Sequence, residues 1–278
     1  MAYKSILTVV RGSTVEGSAL AGAAALVASE DAHLEVLALG IDAVVMGGYY
    51  GGANALIEQE SFARASEEAV ATEAAVREAL AGEEIRWSVT SRIAQSGTIS
   101  SVVGAHARFA DLVVLPKPYG EGKETVDEAI LEAALFTGHV SVLVLPDGKA
   151  PGDVRRVVAA WNQSAEAMGA IRSALPLMKR ADMTDILIID PPRHGPDRSD
   201  PGGPLSQMLA RHGVRPEVSV VAGTLPRTAD TIARHCTDRD ADLLVMGAYG
   251  HSRFREALLG GATRDILERA ELPVFMHH

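Results

Sequence analysis

A chain of 278 residues, 47% of them apolar and with a formal charge of −10, can bury a sizeable core and is long for one small domain. Its basic residues are scattered, Arg155-Arg156 and Lys179-Arg180 being the only adjacent pairs, so no counterion-releasing surface for nucleic acid is expected. No apolar run approaches the ~20 residues of a membrane span, the start Met1-Ala-Tyr-Lys-Ser-Ile6 lacks the regions of a leader, and the single Cys236 fits a reducing compartment. A cytosolic protein without nucleic-acid or membrane partners is therefore expected.

Short Val-, Ile- and Leu-rich runs predict first-half strands near 4–10, 34–40, 84–92, 111–116 and 141–145. Between the second and third of these, the loop Met46-Gly-Gly-Tyr-Tyr-Gly-Gly52 precedes a long helix near Ile57 to Ala81. A polar linker, Asp147-Gly-Lys-Ala-Pro-Gly-Asp153, carries turn chemistry. Strands resume near 154–161, 185–190, 216–222, 242–247 and 273–276, with a helix over Ala165 to Met178 and an exposed Pro/Gly-rich loop over Pro191 to Gly203. Strand–helix alternation of this kind implies a parallel sheet covered by helices on both faces.

The two halves resemble one another. Ser5-Ile-Leu-Thr-Val-Val-Arg-Gly-Ser13 aligns without a gap on Arg156-Val-Val-Ala-Ala-Trp-Asn-Gln-Ser164, and Ala110-Asp111-Leu-Val-Val-Leu-Pro116 aligns on Ala241-Asp242-Leu-Leu-Val-Met-Gly247. The last strands also correspond. We read two copies of one α/β unit, residues 1–148 and 152–278.

Chemistry gathers in the second copy. The strand Leu243-Leu-Val-Met246 runs into Gly247-Ala-Tyr-Gly250, and after nine residues come Gly260-Gly261-Ala262-Thr263 and a helix with Ile266, Leu267 and Ala270 on its apolar face. Glycines at the carboxyl end of a buried strand allow close ligand approach and positive φ. The unpaired first amides of the helix, with its dipole, favour an anion such as phosphate. The spacing Gly247-x2-Gly250-x9-Gly260 is neither a dinucleotide fingerprint nor a P-loop. His251, Ser252, Arg253 and Arg255 follow directly; Arg253 reads either as a charge partner for a polyphosphate or, as Arg255 does, as part of a solvated face over Phe254, Leu258 and Leu259.

The motif and its context resemble the universal stress protein family, whose ATP-binding members carry Gly-x2-Gly-x9-Gly-Ser/Thr after the fourth strand. Gly247, Gly250 and Gly260 match the family glycines, and Thr263 matches a threonine found in many members; Gly261 stands where the family has Ser/Thr. That departure removes one phosphate contact and leaves the amides. Asn162 occupies the place of an aspartate that touches adenine in the family; its amide can both donate and accept. The resemblance implies tandem doubly wound, five-stranded parallel-sheet domains, adenine nucleotide alpha hydrolase-like, pairing along their last strands as an intramolecular pseudo-dimer. A homodimer is a further alternative. It also implies ATP or another adenine nucleotide, with or without Mg2+, in the second copy: Asn162 and Ile189 at adenine, Met246, Gly247 and Gly250 at ribose, and Gly260, Gly261, Ala262 and Thr263 at phosphate.

The first copy has Pro116-Lys-Pro-Tyr119 in place of the first loop glycines and Glu128-Ala129 opposite Gly260-Gly261, so it is not expected to bind a nucleotide triphosphate. The histidines are dispersed and suggest no protein-held metal. No catalytic base is evident, and Cys236 reads as a small buried hydrophobe. Binding in a stress-response or regulatory role is the expectation. A ligand-free interaction protein and a slow ATPase or autokinase, resting on His251, Ser252 and Thr263, are the alternatives.

Overall fold

The computed structural model describes residues 3–12, 15, 18–43, 53–146, 152–191, 200–250 and 261–278. The loop at 46–52, most of the linker, and the segment containing His251, Ser252, Arg253, Arg255 and Gly260 lie outside the described residues. The chain forms an α/β fold of two compact units: Tyr3–Pro118 with Gly122–Val140, and Tyr119–Glu121 with Ser141–His278.

In the first unit, β1 (Ser5–Val10), α1 (Ser18–Glu30), β2 (His33–Asp42), α2 (Ala53–Leu80), β3 (Arg86–Gln95), α3 (Ile99–Ala107), β4 (Leu112–Pro116) and α4 (Thr125–Glu132) follow one another; α4 ends in a π turn, Ala133–Thr137. The strands pair in parallel in the order β3-β2-β1-β4. The interior of β1 is buried on both faces, as a helix-covered parallel strand must be. Its one polar side chain, Thr8, donates to the Val114 carbonyl at 2.8 Å, so this hydroxyl is buried with a partner. Gly40 lies under α2, where a Cβ would run into the carbonyl oxygen of Ala65.

The second unit contains β5 (Val142–Leu145), β6 (Arg156–Ala160), α5 (Ala165–Ser173), α6 (Leu175–Met178), β7 (Met183–Ile189), α7 (Gly203–Arg211), β8 (Pro216–Val221), α8 (Thr228–Asp238), β9 (Leu243–Gly247), α9 (Ala262–Arg269) and β10 (Val274–His277). Its strand order is β5-β10-β9-β6-β7-β8. Strands β10, β9, β6, β7 and β8 are parallel to their neighbours, while β5 runs antiparallel on β10, with Phe275 opposite Leu143. Chain order reverses where β6 lies between β9 and β7, which leaves a crevice at the carboxyl ends of β6 and β9.

Strands β1 and β6 are fastened in the same way. Asp111 accepts from the amides of Lys4 and Ser5 at 2.7 and 3.0 Å, and Asp242 accepts from those of Arg155 and Arg156 at 2.9 and 2.8 Å. A second shared feature joins strand to helix. Glu35, opposite Leu7, meets His106 Nδ1 at 2.6 Å; Asp185, opposite Val158, meets His235 Nε2 at 2.7 Å and Arg239 Nε at 2.9 Å. No described helix is long and apolar enough to cross a membrane.

Candidate nucleotide site

The site begins where β6 ends. Gln163 takes a left-handed φ of 64°, turning the chain sharply, and Asn162 Oδ1 stabilises the turn by accepting from the Ser164 amide at 3.1 Å. Ser164 Oγ then accepts from the Ala167 amide at 3.1 Å, capping one of the orphan donors of α5. The α5 N-terminus lies close against the end of β9. A Cβ on Gly247 would sit 2.6 Å from the Ala167 nitrogen and 2.9 Å from the Glu166 carbonyl carbon, so only glycine fits there without a shift of backbone.

Beyond Gly247 the loop is held from two sides. The Ala248 amide donates to the His277 carbonyl at 2.9 Å, and the Ala248 carbonyl accepts from His278 Nδ1 at 3.0 Å. Tyr249 follows with φ 55°, and its amide donates to Thr263 Oγ1 at 3.2 Å. The sequence reading assigned positive φ to the glycines; the structure gives it to Tyr249, since neither Gly247 nor Gly250 has a positive φ. Gly250 is exposed, and a Cβ there would lie 3.2 Å from Glu166 Oε2.

Helix α9 starts from Gly261 in extended conformation (φ −69°, ψ 154°), and among the described residues no side chain hydrogen-bonds to cap it. The corresponding helix of the first unit differs. At its start the Glu124 amide donates to Asp127 Oδ2 at 2.9 Å, and Arg11, just past β1, pairs with Glu124 at 3.3 Å and Asp127 at 2.9 Å. At α4 a carboxylate thus accepts from the N-cap amide at the positive end of the helix, whereas the first-turn carboxylate of α9, Asp265, pairs with Arg227 at 3.2 Å.

Between the ends of β6, β7 and β9 and the start of α9 lies a cavity of ≈ 310 Å³. It brings together Asn162, Ile189, Met246, Gly247, Gly250, Ala262 and Thr263 from the sequence-derived set. Gly261 caps the adjoining helix but does not line the cavity; Arg253 and Gly260 fall outside the described residues. The apolar walls, with Ile189, Leu187, Ile232 and Met246, suit a planar ring. Among the described residues the polar side chains are those of Trp161, Asn162, Ser164, Thr228, Tyr249 and Thr263, with the carboxylate of Glu166. Such a wall with a small set of polar groups is the usual composition of a small-molecule site. Among the described residues no cluster of metal-ligating side chains occurs.

Sequence reasoning missed Glu166, Tyr249, Thr228 and Ile232. Glu166 was legible only as a first-turn acidic residue of α5; Thr228 and Ile232 come from α8, whose apolar stripe reads as core. Thr263 is 3% exposed, and its hydroxyl oxygen is engaged by the Tyr249 amide, so it fastens the loop to α9 whatever else it touches. Cys236 is 2% exposed, as its reading as a core residue requires. Burial foremost, with the nearby Asp185 charge, pushes its thiol up to about 12, which leaves it unreactive near neutrality.

Residues 153–278 match the model of the universal stress protein family. Over 97 residues the chain is 33% identical to "Universal stress protein Slr1230" of Synechocystis sp. (strain ATCC 27184 / PCC 6803 / Kazusa), a match covering 32% of this chain and 33% of that protein. It therefore spans about a third of the curated relative's length. Across nearly the whole chain the fold resembles a universal stress protein from Archaeoglobus fulgidus DSM 4304, at TM-score 0.66 and 16% identity, with 98% of this chain and 94% of that one covered. It also resembles the functionally unknown protein PA1789 from Pseudomonas aeruginosa PAO1, at TM-score 0.61 and 16% identity, with 99% and 92% covered. At these identities the likeness concerns the fold.

Proposed function

We propose that the second unit binds an adenine nucleotide, ATP or AMP, and that binding rather than turnover is its role. One observation carries this reading: a cavity at the reversal of strand order, apolar on one side, opens at a helix start that no side chain among the described residues caps. The contrast between the units supports it, since the first-unit helix start is filled by Glu124, Asp127 and Arg11. Adenine lies between Ile189 and Met246, with the side-chain amide nitrogen of Asn162 as its donor; Asn162 Oδ1 is spent on the turn. Glu166 accepts from ribose hydroxyls or faces a nucleotide-borne Mg2+, and the α9 amides of Ala262 and Thr263 meet phosphate. Gly260, Gly261 and Arg253 complete the phosphate end in this reading.

The decisive variant is Ala262→Glu. Ala262 is exposed and begins α9, so a glutamate there favours the helix dipole while repelling phosphate. We expect nucleotide released on denaturation, near one equivalent per chain, to disappear in the variant, and Mg-ATP affinity by calorimetry to fall by about tenfold or more. The melting temperature should stay unchanged or rise slightly. Undiminished affinity would remove phosphate from this helix start.

A further inference from the structure

The second unit includes a short piece of the first half of the chain, Tyr119–Glu121. Tyr119 is 6% exposed. Its hydroxyl lies 3.1 Å from that of Tyr249, and the Arg264 guanidinium carbon stands 4.8 Å from the centre of its ring. Both neighbours belong to the same end of the cavity. Tyr249 lines it, and Arg264 follows the lining residues Ala262 and Thr263 in the first turn of α9.

Each neighbour is in a conformation or position that needs support. Tyr249 occupies the left-handed region at φ 55°, where a residue with a Cβ persists only when its surroundings hold it. Its amide is tied to Thr263; the bond to Tyr119 restrains its side chain. Arg264 places a cation in the first turn of a helix, against the dipole, and the face of Tyr119 offers that cation a compensating contact. One aromatic residue thus braces the two elements, loop and helix start, that bound the phosphate end of the cavity.

We propose that Tyr119 is a positioning residue for the second-unit cavity, holding Tyr249 and Arg264 so that phosphate binding there depends on a residue from the first half of the chain. The proposal rests on the nucleotide reading above. It would explain why Tyr119 is buried in a stretch, Pro116-Lys-Pro-Tyr119, that has lost the glycines of its second-half counterpart.

The test compares Mg-ATP and adenosine binding by calorimetry in the full chain. Tyr119→Phe keeps the ring over Arg264 and removes one hydrogen bond, so Mg-ATP should bind about three- to tenfold more weakly, while adenosine, which lacks the phosphates, binds as before. Tyr249→Phe should also weaken Mg-ATP, and the double variant should lose less than the sum of the two, because both remove the shared hydroxyl contact. Tyr119→Leu, losing ring and hydroxyl, should weaken Mg-ATP further. Unchanged Mg-ATP affinity in Tyr119→Phe, or an equal loss for adenosine, would overturn the proposal.

A second measurement needs no nucleotide. In Tyr119→Phe, hydrogen exchange of the Tyr249 amide should accelerate by about three- to tenfold, and unchanged exchange would overturn the positioning role. If the wild-type chain binds neither Mg-ATP nor adenosine, the nucleotide reading fails, and exchange at Tyr249 alone decides whether Tyr119 positions the loop.

Discussion

Asp111 and Asp242 show what a repeated dipeptide can hide. Each Ala-Asp pair reads in the sequence as a marker before an apolar strand; in the structure each carboxylate gathers two backbone amides at the start of another strand, β1 or β6. The pattern was legible, but its cause was not, because the partners lie more than eighty residues away. Cys236 was legible in the opposite sense: one cysteine late in an amphipathic helix is a core residue, and burial gives it a consequence at high pH. Its pKa is raised from 9.0 to about 12 in the folded state. The unfolded chain therefore loses the thiol proton first, and stability falls as pH rises from about 9 towards about 12. At the upper end of that window the loss amounts to roughly 4 kcal/mol. Urea unfolding at about pH 8 and about pH 10.5 should show a fall larger by roughly 1–2 kcal/mol in the wild type than in Cys236→Ala. Equal falls would mean that the thiol already ionises in the native protein.

At the scale of elements, the sequence placed every described strand to within a few residues because short β-rich runs are bounded by glycine, proline and polar clusters. It also found the glycine loop, but not the division of labour within it. Gly247 is glycine because α5 passes against it, Tyr249 rather than a glycine takes the left-handed turn, and Gly250 faces the movable carboxylate of Glu166. Three-dimensional approach decides these roles, and spacing alone carries no record of it. The two glycines should therefore respond differently to the same change. Gly247→Ala puts a methyl 2.6 Å from the Ala167 nitrogen; backbone must move, at a cost of roughly 1–3 kcal/mol. Gly250→Ala meets only a side-chain oxygen at 3.2 Å and should change stability by no more than about 0.5 kcal/mol. Chemical denaturation of both variants checks this. A Gly247→Ala protein as stable as wild type would show that α5 can retreat from β9, and the cavity wall would then be softer than its packing implies.

For the whole molecule, chain order and compactness divide the residues differently at one strand. The polar stretch 147–153 separates β5 from β6 along the chain, yet contacts gather β5 with the strands that follow it. The reason is β10. Its residues Val274, Phe275 and Met276 are fully buried, and on the side away from β9 its backbone is covered by β5, through Val144, Leu143 and Val142. An apolar strand stripped of that neighbour becomes an edge with unpaired amides and carbonyls, which invites pairing with another chain. His277 adds to the dependence, since its Nδ1 lies 3.0 Å from the Ser141 hydroxyl, and its carbonyl holds the Ala248 amide of the glycine loop. A fragment beginning at Gly152 should therefore unfold at lower urea concentration than one beginning at Gly138, which retains β5. If both fragments unfold at the same urea concentration, β5 is dispensable as a cover for β10, and the buried state of Phe275 must be maintained by the helices alone.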